Sequence, residues 1–475
     1  MKKLTGMILA IVTATTVCAA DTAVDPEDDP YPDVDYSQKY RPQFHFTSKK
    51  NWHNDPNGMV YYDGEYHLFF QHNPSGINWG NMTWAHAISR DMVHWKQIQH
   101  AILPYDGGTI FSGSGAVDWK NSAGFAKDGA AHKPIVVYYS HARKPFTQHA
   151  AYSLDRGRTW TRYEGNPALP HQGMRDSERD PKILWHEPTG KWVLVLYGAR
   201  GHAGFFNSDD LKKWTKVSHL TRNPFNECPD LFELPIDRDK KNTKWVLYDG
   251  NFIYSIGTFD GKTFTIEETP GKGDLGGNFY AAQTFNDAFD GRVIQMAWMR
   301  GSDFVNKGMP FNQQMSFPCE LTLRTTDEGI RLYRWPVKEI ESLYNKKHEV
   351  KQTALKPGDN PLKDIKAELI DLSADITLGS AQKVVFNLRG SVVSYDGQTL
   401  TIPGGSGVLK RWDGGMTVRI LIDRGSIEVF GNEGRLSMTS YAIHEPENLD
   451  LSLTAEGGEA VVNKLVVHEL KSAWE

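Results

Sequence analysis

Residues 55–70 read DPNGMVYYDGEYHLFF. A Pro/Asn/Gly opening leads into a short apolar and aromatic run, a DG turn, and a denser aromatic run. Asn, Asp, Pro and Gly favour turns for definite backbone reasons. Short runs of β-branched and aromatic residues bounded by such turns read as strands. The stretch therefore predicts a hairpin, and the pattern returns along the chain. SGSGAVDW (112–119) leads to KPIVVYYS (133–140), and DPKILWHEPTGKWVLVLY spans 180–197. ECPDLFELP (227–235) leads to KWVLYDG (244–250), and YAAQTF (280–285) followed by GRVIQMAWM (291–299) is a looser fifth copy.

A second pattern interleaves with the first. SRDMVHW (89–95), SLDRGRTW (153–160), SDDLKKW (208–214) and TFDGKTF (258–264) each place a hydroxyl residue two before Asp and an aromatic shortly after it. Hydroxyl and carboxylate side chains bond a turn's own backbone, and the aromatic then anchors the next strand. The copies start 64, 55 and 50 residues apart, and such recurrence signals a repeat architecture. No long segment carries helical periodicity. Five copies of about four strands predict an all-β chain that begins as a five-bladed β-propeller over residues 40–337. In a propeller the innermost strands meet at a central channel. Asp55, Ser112, Asp180 and Glu227 hold equivalent repeat positions, so residues far apart in sequence are expected to converge there.

After RLYRWPV (331–337) the texture changes. Residues 338–360 are polar and Lys-rich and read as a linker. From 361 to 475 the chain returns to strands, among them MTVRILIDRGSIEVF (416–430), which predicts a C-terminal β-sandwich. At the other end, Lys2 and Lys3 precede an apolar run and then Ala19 and Ala20. That order fits a signal peptide over 1–20, hence export to a periplasm, cell surface or medium, and the run is short for a membrane span. The alternative is a lipid anchor at Cys18, against which the bulky Val17 speaks. Residues 21–39 are acidic and proline-bearing and read as a solvated tether.

Composition narrows the partners. A net charge of -5 without a basic block argues against nucleic acid. Fourteen Trp and nineteen Tyr suit the flat faces of sugars, but they equally suit sheet cores. Beyond Cys18 only Cys228 and Cys319 remain, which is no disulfide framework, although the two are free to pair. No metal is expected. Calcium wants closely spaced oxygens on one loop and zinc wants spaced His or Cys, and neither pattern occurs.

Converging carboxyls then leave two readings: ordinary turn acids, or glycoside hydrolysis. A retaining glycosidase needs one carboxylate as nucleophile and a second carboxyl, about 5–5.5 Å away, as proton donor. Asp55 has amide donors at Asn54 and Asn57, which favour an ionised nucleophile. Glu227 lies beside Cys228 and Pro229, and a negative Asp55 nearby would raise its pKa, as a donor requires.

At these residues the sequence resembles family 32 glycoside hydrolases: the invertases, exo-inulinases, levanases and fructan exohydrolases. WHNDPNG (52–58) looks like the family's nucleophile motif, with His53 where Met is common. FSGS (111–114), RDP (179–181) and ECPD (227–230) match further motifs in order, as do FQHNP (70–74) and WGNMTWAHA (79–87). VRILIDRGSIEVF (418–430) resembles the sandwich signature. The resemblance implies Asp55 as nucleophile, Glu227 as acid/base, and Asp180 as the residue that holds the ring hydroxyls and stabilises the transition state. It implies substrate contacts from Trp52, Asn54, Gln71, Trp79, Phe111, Ser112, Arg179, Tyr280 and Trp298. The aromatic members also fit core packing; Trp52 and Trp79 are expected in the pocket wall.

The substrate so implied is a fructan or sucrose-type carbohydrate, and no cofactor is implied. Endo-acting inulinases tend to carry Glu where this chain has Asp55, so exo action is expected. Linkage preference is expected to rest on loops such as 301–320. Alternatives are a fructosyltransferase, a non-catalytic fructan-binding surface protein, and a five-bladed family acting on arabinose or xylose chains. The presence of Asp55 and Glu227 argues against a binding protein. The paired WxNDPNG and ECPD motifs argue against the last family.

Overall fold

The computed structural model describes residue 25 and residues 27–301, 307–411 and 414–474. The expected signal peptide and Cys18 lie outside the described residues, as do residues 302–306 of the loop expected to set linkage preference. The chain folds as an N-terminal β-propeller followed by a β-sandwich. Each predicted hairpin is extended by two further strands into an antiparallel set. Asn51–Tyr62, Glu65–Asn73, Thr83–Ser89 and Trp95–Ile102 form the first. Sets beginning at the inner strands Ile110–Val117, Arg179–His186, Asp230–Ile236 and Tyr280–Thr284 follow. Phe311 and Asn312 pair in parallel with Asn51 and Trp52, so the end of the propeller closes onto its beginning.

The hydroxyl–Asp repeat is visible as turn chemistry. Ser89 Oγ accepts the Met92 N–H at 2.8 Å, and Asp91 Oδ1 accepts those of Val93 and His94. Asp210 repeats this with Lys212 and Lys213, and Asp260 with Lys262 and Thr263. These bonds hold Met92 and Leu211 at φ of 64° and 56°, a left-handed conformation that bulky residues otherwise avoid. The aromatics that follow, Trp95 and Phe264, are buried in the blades.

Two expectations change, and the open question of the two cysteines closes. Residues 344–350 and 353–355, read as linker, are strands paired with Ala460–Leu470 of the sandwich. An edge strand is protected by charge, and the Lys-rich sequence that protects this one imitates a linker. Residues 27–39 are not a free tether. Tyr31 is buried with its hydroxyl 2.6 Å from His72 Nε2, and the acids meet bases at the start of the first blade and in the second: Asp33 pairs with Lys50 and Glu27 with Arg158. Cys228 and Cys319 are both free and buried.

Propeller and sandwich share a buried interface. Phe44, Phe46 and Phe317 pack with Leu421, Phe430 and Leu470. Beside them His45 lies 2.9 Å from both Asp423 and Glu428, and Arg334 joins Glu428 to Asp274. Among the described residues no helix is long and apolar enough to cross a membrane.

Candidate active site

The DPNG turn opens the first inner strand. Gly58 sits at φ 57°, and a Cβ there would lie 2.5 Å from the Phe69 ring, so this turn requires glycine. Strand pairing slips between His53 and Pro56, which frees the intervening residues from regular alternation and turns Asp55 towards the channel. Asp180 and Cys228, at corresponding points of adjacent blades, are also held left-handed, at φ 62° and 53°.

These residues meet in a pocket of about 240 Å³ lined by Asn54, Asp55, Gln71, Trp79, Phe111, Ser112, Arg179, Asp180, Glu227, Tyr280, Trp298 and Arg300. Asp55 accepts hydrogen bonds from Ser112 Oγ at 2.6 Å and Asn54 Nδ2 at 3.0 Å. The Cys228 thiol lies between two carboxylates, 3.7 Å from Asp55 Oδ2 and 3.6 Å from Asp180 Oδ2, and its N–H bonds Asp180 at 3.1 Å. Glu227 accepts from the Tyr280 hydroxyl at 2.5 Å and from Arg179 Nε at 3.1 Å. Among the described residues Gln71 Nε2 is buried without a partner, a spare donor in the pocket wall. Beneath the carboxyls the channel is plugged: Lys182 pairs with Asp230 at 2.8 Å, and Gln283 Nε2 bonds Gly113 O at 3.0 Å. The pocket is blind.

Its electrostatics reverse the expectation from sequence. Burial pushes Asp55 up despite the bond from Ser112, and the Glu227 charge adds to this. Burial pushes Asp180 up to about 7, with Arg179 opposing and the other two carboxylates adding. Burial also works upward on Glu227, but the Arg179 guanidinium and the Tyr280 hydroxyl outweigh it and hold Glu227 below the usual range. The sequence led us to expect the proton on Glu227. Here the ion pair with Arg179 and the Tyr280 hydroxyl hold Glu227 down, and the upward push falls on Asp55 and Asp180 instead.

Family profiles settle the lineage. That of the glycosyl hydrolases family 32 N-terminal domain matches residues 45–336, and that of the family 32 C-terminal domain matches 339–469. The chain belongs to glycoside hydrolase family 32. Among its relatives, a levanase from Bacillus subtilis (strain 168) is 36% identical over 98% of this chain and 75% of that protein. An extracellular exo-inulinase from Aspergillus ficuum is 32% identical over 92% of this chain and 96% of that one. Among solved structures, exo-inulinase from Aspergillus awamori superposes with a TM-score of 0.84 at 29% identity, covering 93% of this chain and all of that one. A Schwanniomyces occidentalis fructofuranosidase complexed with fructosylnystose gives 0.82 at 28% identity, over 92% and 99%.

Of the twelve residues singled out from this family 32 sequence, eleven line the pocket and Trp52 does not. Trp52 is buried behind the wall, edge-on to Trp298 with ring centroids 6.1 Å apart, and its indole N–H donates to Asn54 Oδ1 at 2.8 Å. Trp79 is the reverse case, 58% exposed at the rim. Arg300 was missed: it lies over the Tyr280 and Trp298 rings, and its signal is its place two residues after Trp298. His53 packs against Phe46 and Phe70, away from the pocket, and burial pushes it down to about 3.

Proposed function

We propose that the chain is an exo-acting, retaining β-fructofuranosidase that removes terminal fructosyl units from levan- or inulin-type fructans, and from sucrose as a small substrate. The observation that carries this is the blind pocket with three carboxyls at its base. A closed end admits a chain terminus and excludes a chain running through. Curated relatives named levanase and exo-inulinase point to the polymer class.

Asp55 attacks the anomeric carbon of the terminal unit while Glu227 protonates the leaving glycosidic oxygen. Glu227 then takes a proton from water as that water displaces Asp55, so two inversions give net retention. Asp180 accepts ring hydroxyls, and Gln71, Ser112 and Asn54 complete the seat. Arg179 has a part in timing. When its N–H groups turn to ring hydroxyls, Glu227 loses the cation that holds it down and can hold the proton that the leaving oxygen needs. Residues 40–337 carry this chemistry and the sandwich beyond supports it. A basic, apolar, small-residue leader at 1–20, with an extracellular relative, supports export.

The test is product analysis on levan, inulin and sucrose separately. Fructose as the sole early product from the polymers is expected. A ladder of oligosaccharides would overturn exo action, products longer than the substrate would make it a transferase, and no turnover of any of the three would remove the hydrolase reading.

A further inference from the structure

The inner strands have two ends, and only one meets the carboxyls. Val117 lies five residues along its strand from Ser112, and Trp185 five from Asp180, which is about 16 Å. At that far end is a second cavity, of about 340 Å³, whose lining includes Trp119, Trp185, Trp192 and Trp245 with Glu187 and Asp287. Four of the chain's fourteen tryptophans gather there. The Lys182–Asp230 plug separates it from the catalytic pocket, as does Asn286, whose side-chain amide ties Gly115 O at 2.6 Å to Ile183 O at 3.0 Å.

The aromatic edges are fixed. Trp119 Nε1 donates to Asp287 Oδ1 at 3.1 Å, Trp192 Nε1 to Ser122 Oγ at 2.8 Å, and Trp185 Nε1 to Glu187. Trp185 and Trp192 meet edge-on with centroids 5.3 Å apart. Lys120 covers one face of Trp185, with Nζ 4.3 Å from its ring. Trp192 belongs to the core, whereas Trp119 is 51% exposed. Trp119 leans on Tyr62, with ring centroids 5.6 Å apart, and the half of its indole left in water forms a platform.

The surroundings select the occupant. Glu187, Glu233 and Asp287 against one Lys120 make an acidic rim that repels anionic polymers, while carboxylate oxygens accept hydroxyl donors. The volume is at the low end of small-ligand sites, which suits one or two sugar rings and is too small for a protein helix. We propose that this cavity is a non-catalytic binding site for interior units of a neutral fructan, with Trp119 as its stacking platform. The proposal rests on the fructan reading of the catalytic pocket. It adds that a second attachment raises the effective concentration of chain ends for long substrates alone.

The test compares wild type, Trp119→Ala and Trp119→Phe by retention in gels containing levan, inulin or a soluble glucan, and by turnover of a fructose trisaccharide and of long fructan. Expected is weaker retention of Trp119→Ala in fructan gels only. Its KM on long fructan should rise about three- to tenfold, as the loss of one aromatic contact implies. Trisaccharide turnover should be unchanged, and Phe should restore most of the loss. Equal retention and equal KM would overturn the site. So would parallel losses on both substrates, or a Trp119-dependent dimer in sedimentation. Wild type that hydrolyses neither substrate would instead overturn the catalytic reading, and gel retention would still judge the site.

Discussion

Two regions each bury three carboxyls, and they manage the charge in opposite ways. At the domain interface Asp423, Glu428 and Asp274 are matched by His45 and Arg334, and every carboxylate oxygen has a partner. Asp423 accepts the Gln43, Phe44 and His45 N–H groups, Glu428 accepts that of Phe317, and Asp274 those of Gly276 and Thr439. Although burial pushes upward, these partners hold Asp423 low and Glu428 at about 2, and only Asp274, where burial outweighs Arg334, is raised. At the channel mouth three carboxyls share one contacting cation, Arg179, and two of them are pushed up. A saturated network fixes one arrangement. An undersupplied one leaves carboxyls whose proton affinity is raised, which is what acid–base chemistry needs.

The largest expected effect lies at the mouth. Asp55→Asn keeps the shape and can still accept from Ser112, so the protein should fold as before. Without a nucleophile, kcat/KM on a fructose trisaccharide should fall about 10⁴-fold or more. Retention of more than a hundredth of wild-type turnover would break the assignment. Breaking the interface network should do the converse. His45→Gln leaves buried carboxylates short of a cation and should cost about 3–5 kcal/mol of unfolding free energy at pH 6, while the folded fraction keeps its kcat.

The pH dependence of that loss has a definite sign. His45 is desolvated, yet bonds to Asp423 and Glu428 raise it from 6.5 to about 9. Its contribution is complete below pH 6.5 and is lost as pH rises through about 9. Wild-type stability should decline across that window in denaturant titrations, and the gap to His45→Gln should narrow. A constant gap would mean that His45 is neutral in the fold.

At the mouth, activity should depend on the cluster's last proton. Asp180, raised to about 7, gives up its proton there and adds a negative charge beside the other two carboxyls, so kcat/KM should fall as pH rises through about 7. Arg179→Gln removes the charge that lowers both Asp180 and Glu227. It should reduce kcat/KM about ten- to a hundredfold and move the whole profile to higher pH. A profile that stays in place or moves down would show that Arg179 does not set the proton's position.

The same contrast explains what was legible in the sequence. The repeat was readable because its turns are local: a hydroxyl, an Asp and the backbone between them suffice. Convergence of Asp55, Asp180 and Glu227 followed once the inner strands were aligned. Charge state was not readable, because it depends on Arg179 touching Glu227, 48 residues away. Arg300 belongs to the loosest repeat copy, and the edge strand 344–350 carries the same charges that a linker would. Trp52 failed for another reason. Pairing slips just after His53, so alternation cannot tell which side chain enters the pocket.

Trp52 therefore offers the finest test of how the mouth is held in order. Its indole N–H orients Asn54, and Asn54 in turn donates to Asp55 Oδ1. Trp52→Phe keeps a buried ring against Trp298 but removes that donor, leaving Asn54 Oδ1 unpaired. A lost buried hydrogen bond of this kind is worth about 1 kcal/mol, so kcat should fall about fivefold with KM unchanged. Asn54→Ala should cost more, and adding Trp52→Phe to it should cost nothing further, since the path runs through Asn54. If Trp52→Phe instead raises KM and spares kcat, the indole touches the sugar directly and the wall expected from sequence is the correct one.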